Sequence, residues 1–370
     1  MSTVKTAGSW TPDYAVLPGD VLAEHLEARG WTQAELARRC GKSPKLISEI
    51  ISGKNPIEPD TALALERVLG MKAEIWNGIE ADWRLFKAKE ADRQEANRHI
   101  AWVSSFPLAS LRKRLIVPDI RDTGDARDKL LAFFGVGSET AYAARWQSST
   151  VAYRHSKTKA SSPESLRVWL RLGELEAEKV SSPPFDHDRL VSLMPKLRSL
   201  TLFEPDHYVP AARELCLSAG VLLAIVAPVE NAALSGAAYH LADGRAVAQL
   251  SMRHRSNDHF WFTLFHELGH LVLHKKAVVF VDDHRADGGE DKHEAEADGF
   301  AEDKLVGRAR LRSLCDQNPR SRAVVVASAK TFGVHPGVLV GMLQHRGSVP
   351  WQNLNGLKQK IDVDRFASVP

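Results

Sequence analysis

Two histidines four residues apart in an almost wholly apolar stretch are the strongest constraint that this sequence places on its fold. His266 and His270 enclose Glu267, and the flanking residues from Phe260 to Leu273 are mostly aromatic or aliphatic. Side chains at positions i and i+4 lie on one face of a helix, so the two imidazoles project together. A helix that is apolar on every side is buried, and buried imidazoles and carboxylates need partners. The pattern therefore predicts a buried helix whose two histidines bind one metal ion.

A third protein ligand is needed, because catalytic zinc keeps three ligands and an open position. We expect it on a short acidic helix around residues 293–301, whose apolar positions define an inward face. Glu294 falls inside that face and is the preferred ligand, whereas Glu296 lies towards the edge and is the alternative. Asp298, one turn after Glu294, is placed to accept the second ring N–H of a ligating histidine.

These ligands predict a zinc hydrolase site with one Zn²⁺ per chain, for which Mn²⁺ could substitute. The metal acidifies water and polarises a carbonyl, and Glu267 is the expected base that moves the proton to the leaving nitrogen. His240 and His254 are candidates for the donor that stabilises the anionic intermediate. The alternative is a hydrogen-bonded core cluster or a metal site that only holds the fold, although a structural site has no need of Glu267 and more often uses cysteines.

Composition bounds the class of protein. A chain of 370 residues predicts two or three domains, and 44% hydrophobic with 26% charged residues is typical of a globular protein. The net charge of +3 indicates neither a nucleic-acid tail nor a membrane surface. The 3 cysteines are far apart, which fits a reducing compartment and excludes a cysteine-built zinc site. Because the start is polar and the longest apolar run is short, we expect a cytoplasmic protein without membrane contact.

The first 90 residues have the spacing of a helix-turn-helix. Thr32 to Glu35 forms a capping box, Gly41 ends that helix, and Ser43 followed by proline opens the next one. Short helices so joined fit a DNA-reading unit. The outward polar residues predicted to contact DNA are Gln33, Lys42, Ser43, Lys45 and Ser48. An ordinary helical packing module or a protein-docking domain is the alternative.

The remainder divides into a helical region and a region with strands. Residues 91–204 are mostly helical with Ser/Pro-rich breaks, and they carry no recognisable chemistry. Val221 to Val226 predicts a buried strand, and two further strands flank the turn signal at Asp243-Gly244. This sheet leads into the metal helix, for which Asn257 or Asp258 is the expected cap.

Two stretches resemble known families. Residues 18–90 resemble the Xre-type, HigA-like antitoxin and repressor domain in PGDVL (18–22), TQAELA (32–37) and SEIISGK (48–54). Residues from about 205 to 350 resemble the ImmA/IrrE metallopeptidase family in SGAA (235–238), FWFTLFHELGH (260–270) and EAEADGFA (294–301). The second resemblance implies a gluzincin-like fold, metal ligands at His266, His270 and Glu294, Glu267 as base, and cleavage of repressor-type proteins under stress.

The expected fold is therefore α+β and mostly helical. Residues 1–90 form an all-α helix-turn-helix domain, 91–204 a helical linker or sensor region, 205–350 a gluzincin-like metallopeptidase domain with a small β-sheet, and 351–370 a carboxy-terminal tail.

The expected function is a transcriptional regulator with an in-chain zinc endopeptidase. Its expected partners are a double-stranded DNA operator, a second copy of the chain and a protein substrate. A second copy is expected because helix-turn-helix proteins bind paired half-sites. That substrate is the chain itself, cut between about 85 and 200, or a repressor or toxin–antitoxin partner. The alternatives are an antitoxin or repressor whose metal domain is only a sensor or scaffold, and a protease whose amino-terminal module recruits protein substrates.

Overall fold

The chain folds as two compact units, Met1–Ile100 and Ala101–Pro370. A computed structural model of the protein describes residues 14–96, 99–117, 123–153, 162–274, 279–282 and 292–367. In those ranges no single helix is long and apolar enough to cross a membrane. Two consecutive helices, Arg322–Phe332 and Pro336–His345, are long and apolar enough only when taken together, and they are bent by 109° relative to each other.

The first unit is a set of helices whose ends follow the predicted capping residues. Its helices are α1 (Pro18–Glu27), α2 (Gln33–Cys40), α3 (Pro44–Ile51), α4 (Pro59–Leu69) and α5 (Ala73–Ala96). The Thr32 hydroxyl accepts from a backbone N–H of α2, Gly41 takes a left-handed φ of 65° after α2, and the Ser43 hydroxyl caps α3. These residues satisfy backbone groups that helix ends leave unpaired. The buried core between the helices includes Leu22, Leu36, Ala37, Ile47, Ile50, Leu65 and Trp76.

The second unit is organised round a four-stranded sheet with the order β1-β3-β2-β4. The strands are β1 (Val221–Ile225), β2 (Gly236–His240), β3 (Ala246–Leu250) and β4 (Val279–Asp282). Strand β1 runs parallel to β3, whereas β2 is antiparallel to both β3 and β4. The β2–β3 hairpin turns at Gly244, whose φ is 85°, as the Asp243-Gly244 signal predicted. Strand β4 was not predicted.

Helices cover both faces of this sheet. They are α6 (Ile100–Ser104), α7 (Leu108–Lys113), α8 (Thr123–Phe134), α9 (Glu139–Tyr153), α10 (Pro163–Glu178), α11 (His187–Ser199), α12 (Pro205–Ser218), α13 (Asn257–Leu273), α14 (Lys292–Leu305), α15 (Arg308–Asp316), α16 (Arg322–Phe332), α17 (Pro336–His345) and α18 (Val363–Phe366). Successive side chains of a strand point to opposite faces. Accordingly, Leu223 and Ala248 join one core with α11–α14 and α17, and Ala224 and Val247 join another with α6–α10.

The mostly helical α+β architecture with a small sheet is therefore confirmed. Helices α6–α10 lie inside the second unit as the cover of one sheet face. The segment after residue 350 also packs, since Leu357, Ile361 and Val363 are buried in the core beside α13 and α17. A sensing role for residues 91–204 stays a prediction.

Candidate metal centre

Helix α13 carries the two histidines through the interior of the second unit. Its buried residues extend almost continuously from Asn257 to Leu271. His266 is 1% exposed, and Glu267 and His270 are 0% exposed. The sequence predicted this burial because apolar residues occupy every side of the helix.

The start of α13 is tied to the carboxy-terminal segment. The residue before the helix is Ser256, so the predicted capping by Asn257 or Asp258 is wrong. The Asn257 Oδ1 instead accepts from the backbone N–H of Gln359 at 3.0 Å, and Asp258 pairs with Lys358 at 2.6 Å. Both side chains therefore bind a segment about 100 residues further along the chain, and no local sequence pattern reveals such a contact.

Three donor side chains from α13 and α14 converge. His266 Nε2 lies 3.0 Å from His270 Nε2 and 3.1 Å from Glu294 Oε2, and His270 Nε2 lies 3.5 Å from Glu294 Oε1. Ligands about 2.05 Å from a tetrahedral zinc ion are separated from one another by about 3.3 Å. The three donors therefore have the spacing of one face of a tetrahedral metal site, and they form a cluster able to hold an ion.

A hydrogen bond to Asp298 determines which way the His266 ring presents its lone pair. His266 Nδ1 lies 2.9 Å from Asp298 Oδ1, and an ionised carboxylate only accepts, so we assign the hydrogen to Nδ1. The Nε2 lone pair of the neutral ring then faces the Glu294 carboxylate and the His270 Nε2. Facing lone pairs repel unless a proton or a cation lies between them. One divalent cation would satisfy all three donors, so the residues fit a metal ion.

The two glutamates of α14 considered as the third ligand face different partners. Glu296 Oε2 lies 3.8 Å from Nδ1 of His274, one turn beyond His270. Glu294 is the carboxylate beside the paired histidines. Burial alone would raise the pKa of Glu294, but the neighbouring His266 and His270 rings, which favour its charged form, hold that pKa below the ordinary value. Glu294 is therefore ionised at neutral pH.

Glu267 lies against the first residue of β2. A methyl group on Gly236 would come within 2.2 Å of the Glu267 Oε1 and 2.8 Å of the Thr263 side chain. Only glycine leaves room for this carboxylate. In the sequence, Gly236 stood out only as part of a family resemblance, although a glycine in a strand often indicates that another group approaches the backbone closely.

An ion pair that sequence reasoning missed braces α14 against the end of α17. The Arg346 guanidinium donates to the buried carboxylate of Glu302, with Nε 2.6 Å from Oε1. This hydrogen bond raises the pKa of Arg346. Glu302 follows Asp298 by one turn on the same helix, so the regular spacing of acidic residues along α14 could have drawn attention to Glu302.

The two histidines considered as donors to an oxyanion lie in different places. His240 ends β2, four residues or about 13 Å from Gly236 along the strand, and its ring packs on Phe185 at 5.2 Å. His254 lies in the loop between β3 and α13, and its ring stacks on His259 at 3.9 Å. Strand pairing places Gly236 opposite Leu250, directly before that loop. His254 is thus the nearer of the two candidates to Glu267.

The predicted DNA-contacting residues differ in solvent exposure and in their ion pairs. The exposed ones are Gln33, Ser43, Lys45 and Ser48. The Lys45 side chain is 84% exposed, with its ammonium 3.8 Å from the Glu49 carboxylate. Lys42 is partly buried and forms an ion pair with Asp60, which lowers the pKa of Asp60. The charge of Lys42 is therefore already compensated within the protein.

A helix-turn-helix unit followed by a domain with a His-His-Glu donor cluster defines a class of protein, in which a transcriptional-regulator domain is joined to a metallopeptidase-like domain. Residues 22–76 match the family described as helix-turn-helix. Residues 226–344 match the family described as IrrE N-terminal-like domain. The predicted pairing of an Xre-like domain with an ImmA/IrrE-type domain is confirmed.

Two curated relatives are each similar to about a fifth of the chain. Virulence-associated protein I of Dichelobacter nodosus is 36% identical over 84 residues, which cover 22% of this chain and 77% of that protein. The uncharacterized HTH-type transcriptional regulator YddM of Escherichia coli (strain K12) is 29% identical over 73 residues, covering 20% of this chain and 78% of that protein. Through its first unit, the chain belongs to the helix-turn-helix family that includes virulence-associated protein I.

Two solved structures are each similar to about a quarter of the chain. A putative antidote protein of a plasmid maintenance system from Nostoc punctiforme is 27% identical with a TM-score of 0.22, covering 23% of this chain and 92% of that one. The Pseudomonas aeruginosa antitoxin HigA with higBA promoter is 25% identical with a TM-score of 0.22, covering 24% of this chain and 96% of that one.

Proposed function

We propose that the protein is a transcriptional regulator that carries its own zinc-dependent endopeptidase. The endopeptidase cleaves the chain itself, or a repressor- or antitoxin-type protein, in response to stress. The observation that supports this best is the convergence of His266, His270 and Glu294 beside the buried carboxylate of Glu267. A purely structural metal site has no use for that fourth group.

In this proposal His266, His270 and Glu294 hold one Zn²⁺, or Mn²⁺ in its place. When bound, the ion supplies Lewis acidity that lowers the pKa of water and polarises a carbonyl group. Two neutral imidazoles and one carboxylate leave the centre with a net positive charge. Asp298 orients the His266 ring and makes it a better donor.

Glu267 acts as the general base and then as the acid. It takes a proton from water and delivers it to the nitrogen of the broken peptide bond. The close approach of Gly236 restricts where its carboxylate can lie. A side chain so confined loses little entropy when it reaches the reactive geometry.

A cleavage assay tests this function directly. We expect the purified chain with one equivalent of zinc or manganese to yield fragments, detected by mass spectrometry, with and without DNA from upstream of its gene. The fragments should disappear when a chelator is added. If neither the chain nor repressor-type proteins are cut under any of these conditions, the protein is instead a DNA-binding repressor whose metal domain is a sensor or scaffold.

The first unit is proposed to bind a double-stranded DNA operator as a homodimer, with Gln33, Lys42, Ser43, Lys45 and Ser48 at the contact. Lys45→Ala is expected to weaken binding to the upstream DNA and to reduce the slope of log affinity against log salt by about 1, because one phosphate contact is lost. Lys42→Ala should have a smaller effect, since Asp60 already compensates its charge. Gel shifts over a salt series measure both.

The exposed Lys89 on α5 provides the matched control for these substitutions. Lys89→Ala should leave both the affinity and the salt slope unchanged. An unchanged slope for Lys45→Ala would contradict the assignment of α3 to the DNA, and no binding of any DNA would favour a module that recruits protein substrates.

A further inference from the structure

The loop between β3 and α13 forms a pocket with the start of β2. Its lining includes Ser235, Arg253, His254, Arg255, His259 and Thr263. Ser235 directly precedes Gly236, and Thr263 lies one helical turn before Glu267. Because Gly236 is in close contact with both Thr263 and Glu267, the pocket adjoins the proposed general base.

Basic residues are prominent round this pocket. Of the nine residues that line it, four are arginine or histidine (Arg253, His254, Arg255 and His259) and none is acidic. Within the ranges that the structure describes, neither guanidinium is paired with a carboxylate. The first turn of α13 also borders the pocket and adds the positive end of its dipole. The pocket therefore favours an anionic group.

The backbone of the loop is held in an unfavourable shape. Met252 and Arg255 have φ values of 55° and 50°, a left-handed conformation that residues with a side chain rarely adopt. Three hydrogen bonds fix it: Ser251 donates its N–H to Ser235 O at 2.9 Å and its hydroxyl to Leu234 O at 2.7 Å, and Arg255 O accepts from a backbone N–H at 2.9 Å. Such conformations persist where the surroundings impose them, and they cluster at ligand sites.

We propose that this pocket binds the side-chain carboxylate of an aspartate or glutamate in the polypeptide substrate. The inference rests on the proposed peptidase function and gives it a substrate preference. A guanidinium pairs with a carboxylate through two parallel hydrogen bonds. One helical turn, about 5.4 Å, separates Thr263 from Glu267, and an extended peptide rises about 3.3 Å per residue. The acidic residue therefore lies within two or three positions of the bond that is cut.

Peptide binding in the presence of a chelator tests this preference without any cleavage. The probes are the fluorescein-labelled pentapeptides Ala-Ala-Glu-Ala-Ala and Ala-Ala-Gln-Ala-Ala with blocked termini, and binding to the full chain is followed by fluorescence anisotropy. We expect the glutamate peptide to bind about 5-fold more tightly, as one partly exposed ion pair allows. The double substitution Arg253→Gln with Arg255→Gln should bring the ratio to about 1. Arg312→Gln, at an exposed arginine on α15, should leave the ratio unchanged.

Inorganic phosphate distinguishes a substrate side chain from a free anion. Phosphate that displaces the glutamate peptide only weakly supports the proposal. Phosphate that binds more tightly than the peptide overturns it, as do equal affinities for the two peptides, absence of binding, or a ratio that survives the double substitution. A chain that discriminates between the peptides but cleaves nothing with metal contradicts the peptidase function instead.

Discussion

Replacing Glu267 by glutamine is expected to reduce cleavage by at least about 100-fold while leaving the bound metal in place. The amide has nearly the same shape as the carboxylate and fits the same space beside Gly236, but it cannot accept the proton from water. His266, His270 and Glu294 are untouched by the change, so the metal site should survive. The rate of fragment formation and the metal content of the same preparation provide the two measurements.

Glu296→Gln is the matched control, because it removes one carboxylate from the same neighbourhood without touching Glu267. It should cleave like the unaltered chain. Equal rates for Glu267→Gln and the unaltered chain would remove Glu267 from the mechanism. A Glu267→Gln protein that loses metal as well would show that the glutamate supports the site rather than the chemistry.

Removing the Glu294 carboxylate is expected to weaken zinc binding by at least about 100-fold. Without it only the two imidazoles remain, and the ionised carboxylate that balances the charge of the ion is gone. Glu294→Ala should therefore lose zinc to a chromophoric chelator at concentrations where the unaltered chain retains it. Glu296→Ala should retain zinc, because its carboxylate faces His274.

Asp298→Asn should give an intermediate result. Loss of the charged acceptor for the His266 Nδ1 hydrogen is expected to cost about 10–100-fold in zinc affinity. Asp303→Asn, at an exposed carboxylate further along α14, should cost nothing. Equal affinities for the Glu294→Ala and Glu296→Ala proteins would show that α14 does not supply the third ligand.

Features set by neighbouring residues were predictable from the sequence. Thr32, Gly41 and Ser43 cap helices through contacts within four residues, and Asp243-Gly244 forms a turn by its own conformational preference. The spacing of His266 and His270 likewise predicted their shared face. In each case the determining interactions lie within one turn or one loop.

Features set by distant residues were not predictable. The Asn257 side chain was expected to cap α13, yet it bonds to the backbone at Gln359, 102 residues away. The room that Gly236 leaves for Glu267 depends on where β2 meets α13. Residues 91–204 looked like a linker or sensor region because the strands that the apolar faces of α6–α10 cover come much later in the chain.

Because helices cover both faces of the sheet, the chain can be cut at few places without damage to its metallopeptidase-like domain. A break within one of the helices α6–α10 would loosen the layer that covers Ala237, Tyr239 and Val247, and it would expose that face of the strand on which Gly236 lies. A cut near residue 100, at the border of the two units, would leave the hydrophobic cores of both units intact. If the chain cleaves itself, a cut at this border would release the helix-turn-helix domain and leave the metallopeptidase-like domain intact.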